Sequence, residues 1–113
     1  MADENEGEVR EGAAVLPLIP AELGIHPLFL AALHAVVFFD GSDDDVVDPI
    51  AASEALEYIA GYLQRLQGPE LNRLREDAAC LTAYARQQGW AKPLVRYFKT
   101  FLEDFGIGGE PKG

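Results

Sequence analysis

Five aspartates, two histidines and one cysteine are the side chains of this sequence whose types and spacing could do chemistry. The aspartates come first because they are crowded. In DGSDDDVVD, residues 40–48, the carboxylates of Asp40, Asp43, Asp44, Asp45 and Asp48 must share one short connection. They repel one another. Asp40 also closes an apolar stretch that reads as a helix, and the C-terminal end of a helix disfavours an anion. Solvent, helix capping, arginines from later in the chain or a cation must offset this. Calcium takes oxygen ligands of this kind. An EF-hand count started at Asp43 puts Glu54 at position twelve, but Asp48 stands where that loop needs glycine, and Pro49 intrudes. No metal is therefore assigned. A calcium-like site would draw on Asp40, Asp43, Asp45 and Asp48. The favoured reading is a solvated loop whose Asp43, Asp44 and Asp45 face a partner protein.

The other candidates read as structural. His34 is the lone polar residue in PLFLAALHAVVFF, residues 27–39. It is expected to be a neutral core histidine, since a buried imidazole needs a hydrogen-bond partner. His26 precedes Pro27 and is expected where that helix starts. The two histidines stand eight residues apart across a proline, which is no metal-ligand spacing on one helix face. Cys80 has only Ala78, Ala79 and Leu81 around it, so it reads as inert packing. Ser42 and Ser53 lack a glycine elbow. Phosphate-binding loops, paired cysteines, HExxH and Glu-x-x-His pairs do not occur. The sequence thus offers no catalytic residue and no cofactor site, and the chain is expected not to be an enzyme. Arg73, Arg86, Lys92, Arg96 and Lys99 interleave with Tyr84, Trp90 and Tyr97, the composition of a stacking site for nucleic acid. The same residues also suit a bundle edge, and a net charge of −10 sets the chain as a whole against polyanions.

The elements that must position these residues are helical. No stretch alternates with period two, and glycine and proline divide the chain into helical lengths. The expected fold is all-α: a compact four-helix bundle-like domain with a buried apolar helix at about 27–40 and three amphipathic helices at about 49–67, 69–88 and 91–105. Residues 27–39 cover roughly 20 Å as a helix, less than the ~20 apolar residues a bilayer crossing needs. They therefore read as a core helix, with no wet face and no membrane role. Asp48 and Pro49 form a helix start. Gly41, Gly89 and Gly106 read as helix stops. Leu71, Leu74, Ala78, Leu81 and Ala85 form a narrow seam. Ala79, Cys80 and Ala83 lie off that seam as a small-residue face suited to further packing or to a homodimer.

Residues 1–15 read as a disordered acidic tail, 16–107 as a single helical domain and 108–113 as a loose C-terminal tail. VLPLIP, residues 15–20, is extended by its prolines and too apolar to stand free. Charge is uneven. Residues 1–64 hold 13 acids and one base, Arg10, while residues 65–113 hold 8 bases and 6 acids. A single cysteine forms no internal disulfide, and the N-terminus has no hydrophobic signal core, so the expected location is cytoplasmic. These features point to a small acidic protein-interaction module of the adaptor, inhibitor or immunity type. Its partner would be a protein with a basic surface, not nucleic acid or a membrane. The alternatives are a metal- or small-ligand-binding helical protein using the aspartate loop, and a homo-oligomeric structural protein.

Overall fold

The computed structural model describes residues 11–108. The outermost parts of both expected tails lie outside the described residues. A short 3-10 turn, Ala21–Leu23, precedes four helices: α1 (Pro27–Gly41), α2 (Pro49–Leu63), α3 (Pro69–Gln87) and α4 (Lys92–Asp104). Among the described residues there is no strand, so the fold is the expected all-α arrangement. Every helix has proline in its first or second position. The missing N–H costs nothing there, and the fixed φ favours the first turn. Side chains cap two of the four. His26 Nδ1 accepts the Leu28 N–H at 3.1 Å, and the Asp48 carboxylate accepts the Ala51 N–H at 2.8 Å. His26 thus occupies the expected place at the start of α1.

The helices pack as two pairs, α1 with α2 and α3 with α4. Their common core is built on Leu33 and Val36 of α1, Leu81 of α3 and Phe101 of α4, none more than 1% exposed. Phe29 reaches across from α1 to the Phe101 ring, with centroids 6.1 Å apart. The expected α3 seam is buried along its whole length. Leu16 and Ile25 bring the segment before α1 into the same core. VLPLIP therefore lies against the domain, although Leu18 projects almost wholly into water.

Two details depart from the sequence reading. Helix α1 is apolar all round but not dry all round. Its buried face is Phe29, Leu33, Val36 and Val37. Ala31 and His34 are exposed, as is Leu28 at 74%. His34 is therefore a surface residue, not a core histidine. The physical reason is that four helices in two pairs enclose only one side of α1. Scattered apolar side chains tolerate water, so composition alone does not fix burial. Helix α2 also stops at Leu63, short of Gln67. The Arg65 and Leu66 N–H groups donate to Tyr62 and Leu63 carbonyls, a tightened final turn. The Gln64 side-chain amide leaves the helix axis to donate to the Phe105 carbonyl at 2.8 Å.

The glycine stops work in different ways. At Gly106, φ is 68°, and the Ile107 N–H reaches back to the Leu102 carbonyl at 2.8 Å while its side chain enters the core. This is the glycine-ended motif with a hydrophobic residue after it; Gly89 and Trp90 repeat it. Gly41 instead stays helical. A Cβ there would lie 2.9 Å from the Ala14 Cβ, so glycine lets the N-terminal segment approach.

Truncating Leu33 to alanine should cost about 2–5 kcal/mol of unfolding free energy by cavity formation. His34→Ala should change it by no more than about 0.5 kcal/mol. Urea denaturation of both variants checks the assignment, and a large loss for His34→Ala would restore the core histidine.

Candidate interaction surface

The acidic connection between α1 and α2 has a defined shape. The Val46 and Val47 N–H groups both donate to the Asp43 carbonyl, at 2.9 and 3.1 Å, which closes a turn. The preceding chain straps this turn in place. The Asp43 N–H donates to the Gly12 carbonyl at 2.8 Å, and the Ala14 N–H to Ser42 Oγ at 2.9 Å. Residues 12–14 are thus hydrogen-bonded to residues 42 and 43.

The five carboxylates take separate tasks. The Tyr97 hydroxyl donates to Asp40 at 3.1 Å, which offsets the unfavourable position at the end of α1. Asp48 caps α2. Asp43, Asp44 and Asp45 are exposed. Among the described residues, no three His, Cys, Asp or Glu side chains come together to hold a metal ion. Among the described residues the only ion pair joins Arg73 to Asp77 at 3.2 Å, so it involves no loop aspartate.

That ion pair is the feature sequence reasoning missed. Asp77 is only 6% exposed. Its carboxylate accepts the Arg73 Nε–H with both oxygens and the His26 backbone N–H at 3.1 Å. Arg73 Nη2 donates in turn to the Gly24 carbonyl at 2.8 Å. A carboxylate on α3 therefore fastens the turn that opens α1. The group lies beside a mainly apolar cleft of about 530 Å³ walled by Leu28, Phe29, Leu63 and Leu66. The available signal was position. Asp77 falls on the arc of Leu74, Ala78 and Leu81, with Arg73 one turn before it.

Cys80 packs against the 3-10 turn, its Sγ 4.0 Å from the Leu23 carbonyl, while Ala79 and Ala83 are exposed beside it. The aromatic residues that suggested stacking engage one another. The Trp90 ring meets Tyr84 edge-on at 5.7 Å and Phe98 at 6.1 Å, and Tyr97 lies against Phe98 and Phe101. On α2, Tyr58 and Tyr62 stand well out in solvent. No helix among the described residues is long and apolar enough to cross a membrane. The chain matches no protein-family model, and no curated protein or solved structure is detectably similar to it.

Burial pushes the Tyr97 hydroxyl well above the usual tyrosine range, and the charge and hydrogen bond of Asp40, with Asp104, push it the same way. The folded chain thus holds this proton more tightly than the unfolded chain, where a tyrosine ionises near pH ~10. The associated stability is complete below that pH and is lost as pH rises above it. Tyr97→Phe should flatten the loss of stability in alkali and remove the last-appearing phenolate absorbance. Superimposable alkaline unfolding curves for the variant and the parent would contradict the Tyr97–Asp40 contact.

Proposed function

We propose that this chain is a small acidic, non-catalytic protein-interaction module that docks a basic surface on a partner protein through Asp43, Asp44 and Asp45. The observation that supports it is a pairing of order with unmet charge. The loop is held by two long-range hydrogen bonds, and among the described residues its three central carboxylates form no ion pair. An array already ordered loses little freedom on binding. Its charge steers a basic partner into encounter and repels acidic ones. The chain's excess of acids over bases acts in the same direction. The lone half-buried Cys80 suits a reducing cytoplasmic compartment.

The Asp43→Asn/Asp44→Asn/Asp45→Asn variant tests this reading. Relief of repulsion worth ~0.5 kcal/mol should raise its melting temperature at low salt by about 2–4 °C. Wild-type chain should capture its partner from native lysate at about 20 mM salt and release it at about 0.5 M. The variant should capture at least about tenfold less. Equal capture by the variant, or a complex indifferent to salt, would contradict the reading.

A further inference from the structure

Helix α2 turns little of itself inward. Ala52 is its only fully buried residue, with Leu56, Ile59 and Leu63 half-buried on the same side. The opposite arc, at about 100° per residue, gathers Ile50, Glu54, Glu57, Tyr58, Gly61 and Tyr62. All six are exposed, and the three large apolar side chains strongly so: Ile50 71%, Tyr58 72% and Tyr62 61%. We propose that this face receives a basic amphipathic helix of a partner protein.

Three observations carry the proposal. The first is the residue types. Tyrosine offers a large, stiff contact area with a polar tip, and it is concentrated where binding energy is concentrated. The second is Gly61. It sits inside a helix with no positive φ, and among the described residues no atom beyond its own helix turn and chain neighbours lies within 4 Å of where its Cβ would be. Glycine weakens a helix relative to alanine, and no turn, cap or internal packing in this chain requires it there. A second helix crossing at Gly61 does require it, because the missing Cβ lets the two backbones approach.

The third observation is charge. No lysine or arginine occurs from residue 11 to residue 64, and among the described residues Glu54 and Glu57 form no ion pair. At its N-terminal end it meets Asp48 and the aspartate loop. At the other end the Arg65 guanidinium lies 4.8 Å from the Tyr62 ring centroid. The complementary surface is therefore a helix with apolar residues along one side, a small residue opposite Gly61, and lysines or arginines flanking them. A second copy of this chain fits less well, since each copy carries a net charge of −10. The inference rests on the docking reading above, but it places the contact on α2 instead of the loop alone.

The test uses the full chain and an 18-residue synthetic helix with lysines on one face and leucines and one alanine on the other. Nitrogen–proton NMR spectra should show saturable shifts at Ile50, Glu54, Tyr58, Gly61 and Tyr62. Gly61→Leu and Tyr58→Ala/Tyr62→Ala should each weaken binding at least tenfold. Gly61→Ala serves as the folded control. It should raise the melting temperature through helix propensity, yet still weaken binding. If the three loop asparagine substitutions weaken binding and Gly61→Leu does not, the α2 site is refuted while loop docking stands. If Gly61→Leu weakens binding and the loop substitutions do not, the α2 site stands and loop docking falls. Absence of saturable shifts up to millimolar peptide refutes both. Self-association in sedimentation that Gly61→Leu abolishes would make the occupant a second copy and overturn the choice of partner.

Discussion

A single buried carboxylate sets where the outer half of this molecule sits. Asp77 leaves the α3 seam to bind the His26 backbone N–H, and its arginine partner holds the Gly24 carbonyl. Those contacts fix the chain where it turns into α1. The direction of α1 fixes where the Asp40–Asp48 connection emerges, and that connection starts α2 at the Asp48 cap. Burying a carboxylate is expensive unless it is paired and its hydrogen bonds are made. Asp77 meets that condition, with a guanidinium that is half in water and a backbone donor. The position of the acidic loop is thus a consequence of packing that begins on α3.

Charge and packing are divided between the two helix pairs. The α3–α4 pair contributes most of the core and most of the cations. The α1–α2 pair contributes a narrower core face and the long run without a base. The chain keeps its exposed carboxylates apart by giving each a local role or leaving it to solvent. Asp40 takes the Tyr97 hydroxyl, Asp48 takes a helix N-terminus, and Asp43, Asp44 and Asp45 face water. The remaining repulsion acts on the folded state itself. A basic partner would relieve it, so an interaction role and a stability cost would have the same physical origin.

Much of the fold was legible because its signals are local. Prolines at helix starts, Asp48 as a cap, the three-and-four spacing of Leu71 to Ala85 and the glycine–hydrophobic stops at Gly89 and Gly106 each depend on a few neighbouring residues. What was illegible depends on how many neighbours surround a helix. His34 reads as buried because every residue around it is apolar, yet among the described residues only the extended segment 16–19 borders that side of α1, and His34 stays exposed. The exposure of Tyr58 and Tyr62 was illegible as well, because side-chain type does not distinguish a core edge from a face left open. Asp77 was missed for a related reason. It bonds His26 while its partner Arg73 bonds Gly24, each contact spanning about fifty positions in sequence, and no local pattern announces a hydrogen bond over that distance. That Asp40 needs an offset at the end of α1 was legible; the Tyr97 hydroxyl that supplies it was not.

The proposed docking rests on exposed negative charge held in a fixed shape. The most direct measurement is the association rate with the lysine-faced helix, followed by stopped flow across ionic strength. Steering by exposed carboxylates predicts a rate that falls at least about tenfold between ~20 mM and ~300 mM salt, with the dissociation rate changing far less. An association rate indifferent to salt, with all the weakening in dissociation, would contradict the account.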